Sequence, residues 1–365
     1  SDTRRQRQMC IRDSIYIPRI MWSKNNNELI VFKMNRLQNK LDLLSGKLNS
    51  KNTNDFKISV NEIYSESCET YIDIHDNTFF ISPNEFIWTS EKSGYNHLYL
   101  INYKNKTENQ LTSGNWEVTK VYGFNPEKRR IYFQAAKTNP KQRELYYYDL
   151  NNKKIKLISK AKGTNDANFS SNYEYFINTH SDANHPYTFS INDSEGEVVK
   201  ILEDNKNLNK KMKEFDLIDR TFFTIKNSIG LDLNAWIMKP NKIEKNKKLP
   251  LLMYVYGGPG INTVNDSWSS MNYFWFQYLV KIGFVIISVD SRGTGYRGKD
   301  FKHSTYLQLG KLETEDQIYV AKEIGKYDFI DSERIGIFGW SYGGYMSSLC
   351  ITKGADVFKS AVAVA

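Results

Sequence analysis

Cysteine is scarce in this chain. Cys10, Cys68 and Cys350 are the three among 365 residues, an odd number without the short spacing of a metal-ligand pair. A dense disulfide framework and a zinc site are therefore not expected, and no metal or other cofactor is implied. Long apolar runs are missing as well: the longest, Tyr273 to Val289, is broken by Gln277, Lys281 and Gly283. It falls short of the roughly 18 uninterrupted apolar residues of a membrane span, and reads as a helix followed by a strand. Charge of one sign does not dominate, since 50 basic residues are offset by 41 acidic ones to leave +9. With the lysines scattered among asparagines rather than gathered on one helix, no nucleic-acid partner is expected. Histidine is limited to five residues, which matters once a catalytic base is sought.

Aromatic residues, in contrast, are abundant, with 24 Tyr, 20 Phe and 7 Trp, and apolar residues make up 40% of the chain. That composition is unlike a disordered or collagen-like chain, and the length allows roughly two domains. Ser1 to Ser14 carry Arg4, Arg5, Arg7 and Arg12 but lack the apolar core of about 7 to 15 residues that a secretory signal needs. This run reads as a non-native leader. From Ile15 to about residue 210, aromatic or β-branched runs alternate with Asn, Gly, Lys and Asp clusters, a pattern of antiparallel strands and turns. Phe86-Ile87-Trp88, Ile131-Tyr132-Phe133 and Tyr175-Phe176-Ile177 recur about 45 residues apart, each followed by a partner run at His97 to Ile101, Leu145 to Asp149 and Tyr187 to Ile191. Third runs follow at Lys154 to Ile158 and Glu197 to Leu202. With a less regular unit around Leu29 to Leu44, residues 15–210 make about four blades and are read as the C-terminal part of a β-propeller.

After Lys210 the pattern changes. Phe222 to Ile225 and Leu233 to Met238 read as a hairpin, followed by strands at Leu251 to Tyr256, Phe284 to Asp290 and Arg334 to Phe338. Helical stretches at Trp268 to Lys281 and Glu313 to Tyr327 alternate with them. That order predicts a doubly wound, mostly parallel sheet covered by helices over residues 211–365, an α/β-hydrolase domain. Ser360 to Ala365 reads as a buried strand cut before its loop, so this domain is expected to be truncated.

Gly339-Trp340-Ser341-Tyr342-Gly343 fits G-x-S-x-G, the sharp strand-to-helix turn that exposes a serine hydroxyl above the sheet. Its context agrees: the strand Ile335 to Phe338 enters it, and Tyr345 to Ile351 leaves it as a helix stopped at Gly354. Gly339, Gly343 and Gly344 remove the Cβ clashes of a strained turn packed on its own helix. Tyr254 to Gly260 (YVYGGPG) leaves the first strand of the domain beside that turn, where oxyanion donors belong. Asp290 to Gly298 (DSRGTGYRG) lacks a helix-opening G-x-G-x-x-G, so no dinucleotide site is read there, and Arg292 is taken as a structural anchor.

The blocks VYGGPG, DSRGTGYRG and GWSYGGYM resemble the prolyl oligopeptidase family of serine peptidases, and within it the dipeptidyl peptidase IV branch. The propeller half supports this with Ser90 to Tyr99 (SEKSGYNHLY), Gly114 to Val118 (GNWEV) and Leu202 to Asn205 (LEDN). The resemblance implies a β-propeller joined to an α/β-hydrolase domain and an exopeptidase that releases dipeptides, with Pro or Ala preferred second, from peptides with a free N-terminus. It makes Ser341 the nucleophile, and the Tyr256 hydroxyl and Tyr342 backbone N–H the oxyanion hole. It also implies a homodimer and a periplasmic or cell-surface location. The family's triad order is Ser, Asp, His. Only 24 residues follow Ser341, with Asp356 the one acid and no histidine among them. Asp356 follows the turn too closely to be the triad acid, so the triad Asp and His are not in this chain. His75, His97, His180, His185 and His303 all precede Ser341 and are read as structural. The paired glutamates that grip a substrate amine belong to an earlier propeller segment. The alternatives are a prolyl oligopeptidase or acylaminoacyl peptidase of the same family, and a non-catalytic propeller that binds a partner.

Overall fold

The computed structural model describes residues 14–25, 27–48 and 58–365, so Ser1 to Asp13 of the expected leader lie outside the described residues. Four sheets come first, each of four strands in chain order. They are β1 (Ile15–Trp22), β2 (Glu28–Asn35), β3 (Lys40–Leu48) and β4 (Ile58–Ser67); then β5 (Phe79–Ser82), β6 (Glu85–Ser90), β7 (His97–Asn102) and β8 (Thr107–Gln110). The third holds β9 (Glu117–Asn125), β10 (Arg130–Ala136), β11 (Glu144–Asp149) and β12 (Lys154–Leu157). The fourth holds β13 (Thr164–Phe169), β14 (Tyr175–Ser181), β15 (Thr188–Asp193) and β16 (Val198–Glu203). These are propeller blades, and the recurring aromatic runs fall on the second strand of the last three sheets. In β6 and β10 that strand is inner and covered on both faces, so Phe86, Ile87 and Trp88, like Ile131, Tyr132 and Phe133, are all buried. Outer strands such as β4 and β8 are mostly exposed, and the apolar-run reading passes over them.

The chain forms two compact units, residues 1–114 with 126–130 and residues 115–125 with 131–365. In the first, Ile30, Phe32 and Leu43 share a core with Phe86, Trp88 and Tyr99. In the second, Tyr132, Leu145 and Tyr147 pack with Phe176. Sheets three and four share this second unit with the hydrolase region, and polar bonds join them to it. Asp266 accepts from Gln142 Nε2 at 2.8 Å and the Ala183 N–H at 3.0 Å, while its own N–H donates to the Lys141 carbonyl at 2.8 Å.

The last sheet has six strands: β17 (Thr221–Lys226), β18 (Asp232–Met238), β19 (Leu249–Val255), β20 (Val285–Val289), β21 (Ile330–Trp340) and β22 (Ser360–Val364), in the order β17-β18-β20-β19-β21-β22. β19 to β22 run parallel, and the hairpin β17–β18 lies antiparallel at one side. Among the described residues five helices accompany it: α1 (Lys206–Met212), α2 (Met271–Lys281), α3 (Lys299–His303), α4 (Leu312–Ile324) and α5 (Tyr342–Lys353). Alternate residues of β19 serve opposite faces. Leu251, Met253 and Val255 meet Val320, Ala321 and Ile324 of α4 and Met346 and Cys350 of α5. Leu252 and Tyr254 face Phe276 and Val280 of α2. Both faces are therefore covered, which is why these strands read as unbroken apolar runs.

Two expectations need correction. The helix read from Trp268 starts at Met271, because Trp268 is held by sheet four: its N–H donates to Ser181 Oγ at 3.1 Å and its carbonyl accepts from Tyr187 Oη at 3.3 Å. Ser360 to Val364 is a strand but not a buried one. Of the described strands only β21 pairs with it, and Val362 is 55% exposed.

Candidate active site

In a parallel sheet the side-chain-bearing loops gather at the carboxyl ends of the strands, and a crevice opens where the strand order reverses. Here the chain passes from β19 to β20 on one side and then to β21 on the other, so the reversal lies between β19 and β21. Tyr256 follows β19 and Ser341 follows β21, and the two strand ends are in register, Val255 opposite Gly339. The crevice thus lies between the two residues that the motifs single out.

Ser341 has φ 57° and ψ −120°, a left-handed conformation that costs a residue with a side chain of order 1–3 kcal/mol. The turn is held by its backbone: the Ser341 N–H donates to the Val364 carbonyl at 2.7 Å, and the Ser341 carbonyl accepts from the Gly344 N–H at 2.8 Å. The side chain is exposed above the sheet. The neighbouring glycines are required by close approach. A Cβ at Gly343 would be driven into the Val255 carbonyl oxygen, one at Gly339 into the Gly343 carbonyl, and one at Gly344 into the Val364 carbonyl. Gly343→Ala is expected to lower folding stability by about 1–3 kcal/mol, because backbone rather than a flexible side chain must yield. An unchanged thermal unfolding midpoint would show that α5 and β19 approach less closely.

Tyr342 opens α5, so its N–H has no carbonyl within the helix to receive it and is available as a donor. Its ring lies 6.1 Å from that of Tyr256, and Gly258 sits between them: a Cβ there would be 2.6 Å from Tyr256 Cε1 and 3.2 Å from Tyr342 Cγ. The fold therefore brings Ser341, Tyr256 and Tyr342 to one crevice. The Tyr342 hydroxyl donates to Glu313 Oε1 at 2.7 Å, and burial together with that carboxylate raises the phenol above its ordinary pKa.

The DSRGTGYRG loop braces the crevice from β20. Arg292 Nη2 and Nε bond Asp316 of α4 at 2.8 and 3.0 Å, and the Arg292 N–H reaches the same carboxylate at 2.9 Å. The anchor reading of Arg292 follows from this clamp. Asp290 is buried, which pushes its carboxyl up to about 7 despite bonds from the Thr263 and Val264 N–H groups.

Among the described residues no imidazole or carboxylate is hydrogen bonded to the Ser341 hydroxyl. His75 meets the Thr89 carbonyl, His97 meets Thr112 and Gly114, His180 meets the Lys162 carbonyl and His185 meets Asp182. His303 is buried in α3. Asp356 is exposed and ion-paired with Lys322 at 2.8 Å. Sequence reasoning missed Glu313 and Asp316, because Leu-Glu-Thr-Glu-Asp-Gln resembles a solvated helix start. The signal was their spacing: Glu313, Asp316, Gln317, Val320 and Ile324 lie on one helical stripe, and all are buried.

Residues 2–187 match the family model described as "Dipeptidyl peptidase IV (DPP IV) N-terminal region", and residues 269–365 match the "Prolyl oligopeptidase family". The chain is 30% identical to dipeptidyl peptidase 4 of Trichophyton equinum over 368 residues, covering 97% of this chain and 46% of that protein. It is 30% identical to dipeptidyl peptidase 8 of Homo sapiens over 351 residues, covering 82% of this chain and 38% of the relative. The crystal structure of Porphyromonas gingivalis dipeptidyl peptidase 4 superposes with a TM-score of 0.87 at 37% identity, covering 96% of this chain and 48% of the other. The chain thus spans less than half the length of these proteins. With that kinship over both the blades and the hydrolase sheet, the chain belongs to the prolyl oligopeptidase family, in its dipeptidyl peptidase IV branch.

Proposed function

We propose that the whole protein is a serine exopeptidase that releases dipeptides from peptides with a free N-terminus, Pro or Ala being preferred second. One observation carries the reading: Ser341 stands in a left-handed turn at the reversal point of the sheet, in one crevice with Tyr256 and with Tyr342, whose N–H opens α5. Ser341 Oγ attacks the scissile carbonyl as its proton leaves to a base, and the carbonyl oxygen becomes an anion. The Tyr256 hydroxyl and Tyr342 N–H donate to that anion as charge develops, so they act on the transition state more than on the bound peptide. The tetrahedral intermediate then collapses as the C–N bond breaks and the base returns its proton to the departing amine. Water hydrolyses the resulting acyl-enzyme, which releases the dipeptide and restores the Ser341 hydroxyl. Homodimer formation belongs to the same reading.

Reporter peptides test the specificity. Gly-Pro and Ala-Ala reporters with free amines are expected to be cleaved, and their N-acetylated forms left intact, because the amine must be gripped. Preferential cleavage of the acetylated forms would instead support the oligopeptidase or acylaminoacyl alternative.

A further inference from the structure

Glu313 is a carboxylate with no place in the chemistry described so far, yet it lies directly beneath that chemistry. It is 0% exposed. Its Oε1 accepts the Tyr342 hydroxyl at 2.7 Å, and its Oε2 is buried with no hydrogen-bond partner among the described residues. A buried carboxylate with one oxygen unsatisfied is an expensive group to keep for stability alone, since an apolar residue of similar volume is commonly as good or better. Its surroundings hold it still. One turn on, Asp316 is clamped by Arg292, and Gln317 Nε2 donates to the Val289 carbonyl at 2.9 Å at the end of β20. α4 is thereby tied to the end of β20 and to the loop that follows it, one turn beyond Glu313.

What Glu313 holds is also defined. Tyr342 supplies the first N–H of α5, and its ring stands against Gly258 and, across that glycine, against the ring of Tyr256. On its other side the Tyr342 ring meets Tyr345 edge-on at 5.4 Å. Moving the Tyr342 phenol therefore shifts both the first turn of α5 and the wall on which Tyr256 rests. We propose that Glu313 is a positioning residue of the oxyanion site: by holding the Tyr342 hydroxyl it sets where the Tyr342 N–H and the Tyr256 hydroxyl meet the substrate oxygen. The inference rests on the assignment of Ser341 as nucleophile.

The test is steady-state kinetics of the whole protein on a free-amine dipeptide reporter, with turnover expressed per site titrated by a fluorophosphonate. Glu313→Ala is expected to lower kcat by roughly 10- to 100-fold with KM little changed, the size of loss that a misplacement near 1 Å produces. Glu313→Gln keeps an acceptor oxygen for the phenol and is expected to restore kcat to within about threefold of the unaltered protein. Tyr342→Phe removes the same bond from the other side, and combining it with Glu313→Ala should add little further loss. A purely structural carboxylate would lower the number of titratable sites and leave kcat per site alone. Unchanged kcat per site in both Glu313→Ala and Tyr342→Phe would overturn the proposal while leaving the Ser341 assignment in place. Failure of the unaltered protein to be titrated at Ser341 would remove both.

Discussion

Replacing Ser341 with Ala in the whole protein is expected to lower turnover by on the order of 10⁶, the loss found when a triad nucleophile is removed. The expectation follows from the turn. Residues with side chains rarely occupy φ 57°, and here the conformation is enforced by three glycines and by the Val364 carbonyl, so the hydroxyl is held clear of the sheet. Alanine carries the same Cβ as serine and adds no backbone strain at that φ. The side chain is exposed and donates to no group among the described residues, so folding stability should stay within about 0.5 kcal/mol of the original. Loss of rate without loss of fold is the expected pair of results. Ordinary turnover in Ser341→Ala would move the nucleophile elsewhere.

Tyr256→Phe is expected to lower kcat by roughly 10² to 10³, equivalent to about 3–4 kcal/mol, with little change in substrate affinity. The substitution removes one oxygen and keeps the ring that packs across Gly258 against Tyr342. If the hydroxyl donates only to the anion that forms in the transition state, the bound peptide does not register its loss. A rise in KM at constant kcat would show that Tyr256 contacts the substrate without serving the oxyanion.

Inner strands were legible, and of the outer ones β12 and β16 were read as third runs whereas β4 and β8 were passed over, for a physical reason. Phe86-Ile87-Trp88 is covered on both faces and therefore reads as a run, whereas Thr107 to Gln110 is exposed throughout and carries no apolar pattern. The parallel strands β19 to β21 were legible because α4 and α5 on one face and α2 on the other cover them, which leaves apolar runs such as Leu251 to Val255 and Val285 to Ile287. The start of α2 was not, since a bond from Trp268 to Ser181, 87 residues away, overrides local helical preference. At the site, Ser341 could be named from local spacing, because the turn that presents it is built from its own neighbours, whereas Tyr256 and Tyr342 were named through the family resemblance of the blocks that hold them. Glu313 could not, because its partner Tyr342 lies 29 residues downstream and only the folded sheet brings them to 2.7 Å.

The most direct measurement is covalent mapping. Treating the whole protein with a fluorophosphonate and digesting it with trypsin should place one adduct on the peptide Ile335–Lys353, the product of cleavage after Arg334 and Lys353. Fragment ions should assign the adduct to Ser341 rather than to Ser347 or Ser348, whose hydroxyls already donate to the Gly343 and Gly344 carbonyls at 2.8 and 3.0 Å. An adduct on any other residue, or an unmodified peptide from protein that cleaves the dipeptide reporter, would contradict the account.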